Sequence, residues 1–168
     1  MAIADVLKVF RDLRREGTVR DWILFGSVAA MVHTRPFYTQ DVDIGVAITD
    51  DQEYSRIFNR LSDFGTVQGH AVVINGTPVE VFPVDISPII DDALNHPIRK
   101  RVGGVLVKVA SAEHLLLEAL RVYRTEDKGR AIILDAVADP DKLLDLFERL
   151  DHGGTFQRRY REITNQTS

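Results

Sequence analysis

Ile3, Val6, Leu7, Phe10 and Leu13 recur at helical spacing between charged residues. That pattern predicts an amphipathic helix over about residues 3–16, ending near Gly17, and not a signal peptide. "DWILF" (21–25) is a short apolar run and predicts a buried strand. Gly26-Ser27 follows, with Ser27 read as the cap of a short helix through "VAAMVH". "VDIGVAI" (42–48) predicts a second strand, and "DDQEYSRIFNRLSDF" a helix with Tyr54, Ile57, Phe58 and Leu61 inward.

"HAVVINGTPVEVF" holds two β-rich runs joined by Asn75-Gly76, the preferred pair for a type I′ hairpin. The turn sets the register: Ile74 faces Thr77, Val72 faces Val79 and Ala71 faces Glu80. Glu80 then stands on the face opposite Val79 and Val81, and His70 falls on the core side as a structural histidine. "SPIIDDALNH" reads as a short helix or turn, "RKR" (99–101) as a solvated loop, and "GGVLVKVA" (103–110) as a strand. Ser111 caps a helix over "AEHLLLEALRVYR", "TEDKGRAIILDAV" is helical, and Asp139-Pro140 restarts a helix that stops at Gly153-Gly154. A short basic helix, "TFQRRYREI", closes the chain. The expected architecture is α/β (α+β), a mixed β-sheet of about five strands flanked by helices with a helical C-terminal part. Residues 1–110 form the core and 111–168 pack on it as one compact unit.

At 168 residues the chain is long enough for one buried core without disulfides or zinc, and it has no cysteine. Thiol catalysis and cysteine-metal sites are excluded. No stretch approaches the roughly 20 apolar residues of a membrane span, so the expected location is cytoplasmic, with no membrane partner. The net charge of −4 hides an asymmetry. Between residues 36 and 95 ten acids face two bases, and between 96 and 130 eight bases face four acids. An acidic half suited to cations thus precedes a basic half suited to phosphates.

Asp41 and Asp43 stand i and i+2 on a strand, so they share a face about 6.5–7 Å apart along the backbone. Hard carboxylate oxygens at that spacing suit Mg²⁺. Glu80 supplies a third ligand if its strand neighbours theirs, and three carboxylates around two ions suit in-line displacement at phosphorus. Gly26-Ser27, at a strand end before a helix, offers close backbone approach and free N–H groups for a phosphate.

The order hydrophobic-Gly-Ser, thirteen residues, then Asp-Val-Asp-Ile resembles the signature of the polymerase-β-like nucleotidyltransferase superfamily. The later part resembles its small AbiEii-toxin-like, minimal branch, over roughly residues 20–135. The resemblance implies a nucleotidyltransferase fold and Mg²⁺- (or Mn²⁺-) dependent transfer of a nucleoside monophosphate from an NTP to a hydroxyl, releasing pyrophosphate. The acceptor would be an RNA, such as a tRNA, or a protein, and a cognate antitoxin would be a partner. It assigns Asp41, Asp43 and Glu80 as metal ligands and catalytic residues. It assigns Gly26, Ser27, Thr39, Arg124 and Lys128 to the nucleotide, with Arg124 and Lys128 neutralising the triphosphate. Phe37 stands where the family often has arginine, and Asp127-Lys128 reverses the usual order. Asp85 rivals Glu80 as third acid, although Pro83 lies between them. The alternatives are a catalytically idle nucleotide-binding or antitoxin module of the same fold, and an Asp-x-Asp glycosyltransferase, which would leave Gly26-Ser27 unexplained.

Overall fold

The computed structural model describes residues 2–165. Its strands in chain order are β1 (Trp22–Phe25), β2 (Val42–Val46), β3 (Thr66–Gln68), β4 (Ala71–Ile74), β5 (Thr77–Pro83), β6 (Ile98–Val102) and β7 (Val105–Val109). They form one mixed sheet in the order β3-β4-β5-β2-β1-β7-β6. β1 runs antiparallel to β2 and parallel to β7, and β2 runs parallel to β5. The helices are α1 (Ile3–Arg15), α2 (Gly26–His33), α3 (Asp51–Leu61), α4 (Pro88–Asn95), α5 (Ala112–Val122), α6 (Thr125–Asp135), α7 (Pro140–Leu150) and α8 (Thr155–Asn165). No helix among the described residues is long and apolar enough to cross a membrane.

Alternation places the core. Val42 and Ile44 are fully buried on β2, as are Val72 and Val79 on the hairpin, while α1 buries Val6, Leu7, Phe10 and Leu13. Asn75 and Gly76 both adopt positive φ, and β4 pairs β5 in the expected register, Val72 with Val79 and Ala71 with Glu80. α1 is pinned at its start by the Ala2 N–H, which donates to Thr77 Oγ1 at 2.7 Å.

The sheet has seven strands, two more than the sequence pattern predicts. β3 is three exposed residues at one edge, too short for a periodic signal. β6 contains Arg99-Lys100-Arg101, expected as a loop, yet it pairs with β7 along its length. Charge masks a strand here because an edge strand keeps one side in water, and charged edges discourage further pairing. His70 is exposed at the turn before β4 and not on the core side.

α4, α5 and α7 are joined by a polar node. Asp92 accepts from Arg149 Nη1 at 2.6 Å and Nη2 at 3.2 Å, and pairs with His114 Nε2 at 2.7 Å. The buried His114 also meets Ser111 Oγ through Nδ1 at 2.6 Å. Burial works to raise the Asp92 pKa, but the hydrogen bonds from Arg149 and His114 outweigh it and hold the carboxyl below its usual range. Asp92→Ala is expected to lower unfolding free energy by about 2 kcal/mol, because it strips the Arg149 guanidinium and the buried His114 imidazole of their shared hydrogen-bond partner. Urea denaturation at neutral pH measures this.

Candidate functional site

β2 begins just after Asp41, and its alternation sends Val42 and Ile44 inward while Asp41 and Asp43 face the other side. β5 lies beside β2 in parallel, with Asp43 directly opposite Glu80. In-register residues on neighbouring strands project to one side. One carboxylate oxygen from each of Asp41, Asp43 and Glu80 therefore lies within 4.8 Å of the others. Asp85 does not join this cluster, because β5 ends at Pro83 and Asp85 sits on an exposed single turn of 3₁₀ helix.

β1 delivers the opposite wall. Phe25, its last residue, pairs with Asp43, and Gly26 opens α2 with φ +64°. A Cβ on Gly26 would lie 1.8 Å from Asp43 Oδ2, so the position needs glycine both for its conformation and for its space. Ser27 follows within α2, not as its cap: Phe25 holds that place and no side chain caps the helix. The Ser27 backbone N–H donates to the Asp43 carboxylate, and Ser27 Oγ accepts from Arg130 Nη2 at 2.9 Å. The helix end thus orients an acid as well as offering a phosphate approach.

α6 brings the positive charge. Asp127 is buried at 2% exposure, an unusual place for an acid unless it is paired. It accepts from the Arg124 backbone N–H at 3.1 Å, from Arg124 Nε at 2.9 Å and from Arg130 Nη1 at 3.5 Å. Arg124 and Arg130 are thereby aimed into a cavity of about 160 Å³ shared with Gly26 and Asp43 and walled by Phe25 and Phe82. Lys128 is not brought there. Lys128 follows Arg124 by one turn, its N–H donating to the Arg124 carbonyl at 3.0 Å, but its Nζ lies 4.4 Å above the Tyr123 ring instead. Arg130 takes the place expected for Lys128, sharing the face of Asp127 by i,i+3 spacing. The signal for it was the acid at 127 three residues before an arginine. Thr39 sits on the approach to β2, with Oγ1 donating to the Asp41 carbonyl at 3.2 Å, away from the cavity lining.

Electrostatics describe a site short of positive charge. Burial first, then the charges of Asp41 and Glu80, raise Asp43 to about 7, opposed by Arg130 and the Ser27 N–H. All three acids offer hard oxygen donors, so the cluster fits Mg²⁺ or Mn²⁺ and not a soft metal. Asp127→Asn should release both arginines from their shared anchor. Unfolding free energy is expected to fall by about 2 kcal/mol, through loss of charge-assisted hydrogen bonds to a buried carboxylate, in urea denaturation.

No protein-family model and no curated protein sequence matches the chain. Solved structures do match it in shape. An antigenic nucleotidyltransferase-like protein from Paracoccidioides brasiliensis superposes with a TM-score of 0.69 at 19% identity, over 96% of this chain and 86% of that one. ANT(2")-Ia, solved in complex with adenylyl-2"-tobramycin, superposes with a TM-score of 0.58 at 14% identity, over 92% of this chain and 98% of that one. The chain therefore has a nucleotidyltransferase fold, with the seven-stranded mixed sheet flanked by helices.

Proposed function

We propose that the protein is a divalent-metal-dependent nucleotidyltransferase, moving a nucleoside monophosphate from an NTP to an acceptor hydroxyl. The observation that carries this is the convergence of Asp41, Asp43 and Glu80 across from Gly26, with Arg124 and Arg130 entering the same space. Those acids would hold Mg²⁺ or Mn²⁺, which when bound supplies charge neutralisation at the phosphates and a more acidic acceptor hydroxyl. The chain's own groups do the rest. Arg124 and Arg130, fixed by Asp127, bind the oxygens of the departing pyrophosphate. Gly26 lets the phosphates lie against backbone. In the transfer the acceptor oxygen bonds to the α-phosphorus as the bond to the bridging α–β oxygen breaks, pyrophosphate leaves with that electron pair, and the acceptor's hydroxyl proton passes to water.

The acceptor is an RNA end or a protein hydroxyl, and the protein is the toxin-like component of a toxin–antitoxin pair, a reading that rests on the order of its motifs. The idle-module alternative is disfavoured because all three acids are in place and the cavity is open. The test incubates the protein with each α-³²P-labelled NTP, Mg²⁺, and total RNA, cell lysate or tobramycin, beside Asp43→Asn. Label on RNA or protein with wild type alone is expected. Label on tobramycin would replace the macromolecular acceptor with a small one, and nucleotide binding without any labelled product would overturn the enzyme reading.

A further inference from the structure

A larger concavity, of about 650 Å³, lies between the C-terminal half of α1, the start of β1 and the strands β6 and β7. It is separate from the acid cluster. Trp22, on its wall, and Gly26, at the site, stand at opposite ends of β1, about 13 Å apart along the strand. Six cations line it: Arg11, Arg14, Arg15, Arg20, Arg99 and Lys108. Asp21 is the single acid among its lining residues, held by Lys108 Nζ at 2.6 Å. Asp21 also meets Arg14 at 3.6 Å, and outside the lining Asp12 engages Arg11 at 3.0 Å and Arg15 at 3.9 Å while Glu53 holds Arg20, which leaves six cations against three acids. Arg15 and Arg99 stay largely exposed on opposite walls, one on the helix and one on the edge strand. This surplus is local, since the whole chain is net acidic at −4.

The placement has a structural cause. β7 buries Val105, Val107 and Val109 on one face and turns Leu106 and Lys108 to the other. β6 pairs Arg99 with Lys108 and Arg101 with Leu106, so its arginines line up on that same face. α1 adds Arg11, Arg14 and Arg15, at i, i+3 and i+4, to the lining of the same concavity.

We propose that this groove binds single-stranded nucleic acid, RNA in particular, through its phosphates. Five of the six cations are arginines, whose planar fork suits phosphate oxygens. Protein–protein interfaces are depleted of charge at their centres, whereas nucleic-acid interfaces are strongly positive. The groove's size suits a few nucleotides of one strand. Trp22 is 5% exposed, which leaves no aromatic face for stacking, so binding is to the backbone and independent of sequence. If the acid cluster performs nucleotidyl transfer, a clause that rests on the proposed function, the strand held here is the acceptor. The span along β1 then requires a polymer.

The test is fluorescence anisotropy with a fluorescein-labelled single-stranded oligouridylate of roughly 20 nucleotides, at about 50 and 200 mM salt. Wild type is expected to bind at low salt and to lose at least about tenfold in affinity over that range. The double variant Arg15→Glu/Arg99→Glu, both sites exposed, should weaken binding at least about tenfold and flatten the salt dependence by about 1.4 in log–log slope. Lys142→Glu, on α7, should bind as wild type, with circular dichroism showing both variants folded. Failure of wild type to bind at low salt, equal loss in the Lys142 control, or full displacement by polyglutamate at matched charge overturns the groove assignment. Asp43→Asn should bind RNA normally, so intact binding without transfer in wild type would refute the enzyme reading and leave the groove standing.

Discussion

Asp43→Asn is expected to make the metal-free protein more stable while removing its metal affinity. Asp43 is raised from 3.8 to about 7 in the folded chain, by burial first and then by Asp41 and Glu80. The folded state therefore keeps a proton that the unfolded state has lost between about pH 4 and pH 7. Stability contributed by that proton is complete below about pH 4, falls as pH rises, and is gone above about pH 7. At about 1.4 kcal/mol per pKa unit, the shift caps the effect near 4 kcal/mol, and solvent screening brings it to about 2 kcal/mol. Asparagine keeps an acceptor for the Ser27 N–H and never ionises. Its Tm at pH 8 should exceed wild type by about 4–8 °C, with the gap closing at pH 4. Millimolar Mn²⁺ should raise the wild-type Tm more at pH 8 than at pH 5 and leave the variant unmoved. Differential scanning fluorimetry across pH reads all of this, and a variant less stable than wild type at pH 8 would refute the charge account.

Gly26→Ala should damage stability and activity together. The new Cβ would fall on Asp43 Oδ2, with Asp43 Cβ itself only 2.9 Å away, so the strand and not just a mobile tip must yield. Positive φ adds strain. Unfolding free energy is expected to drop by about 3 kcal/mol, roughly 6–12 °C in Tm, and transfer activity by about 10²-fold or more through misplacement of Asp43. Gly69→Ala is the control: it shares positive φ at +62° but has nothing within 4 Å. It should cost about 1 kcal/mol and leave activity intact. Equal damage from both would mean that strain, not the clash, governs position 26.

Much of the site was written locally. Asp41-Val42-Asp43-Ile44 shows its two faces by alternation, and Asn75-Gly76 dictates where Glu80 points relative to its own hairpin. What alternation cannot carry is which strands become neighbours. That β5 lies beside β2 depends on long-range packing, so the meeting of Glu80 with Asp43 had to come from the fold. Arg130 was missed for a similar reason. Its role comes from Ser27, 103 residues away, and from a buried Asp127 whose burial no local pattern announces. β6 was missed because pairing with β7, not the side chains of Arg99-Lys100-Arg101, makes it a strand.

The acid pair across β2 and β5 occupies a single rung of a parallel ladder. Its separation is a property of sheet spacing, about 4.8 Å, and owes nothing to the length of chain joining the two rungs. The exposed turns between Val46 and Thr77, Gly69-His70 for instance, are therefore free to lengthen without moving a ligand atom. Relatives of this protein can be sought with large size variation in that span and none in the rung itself.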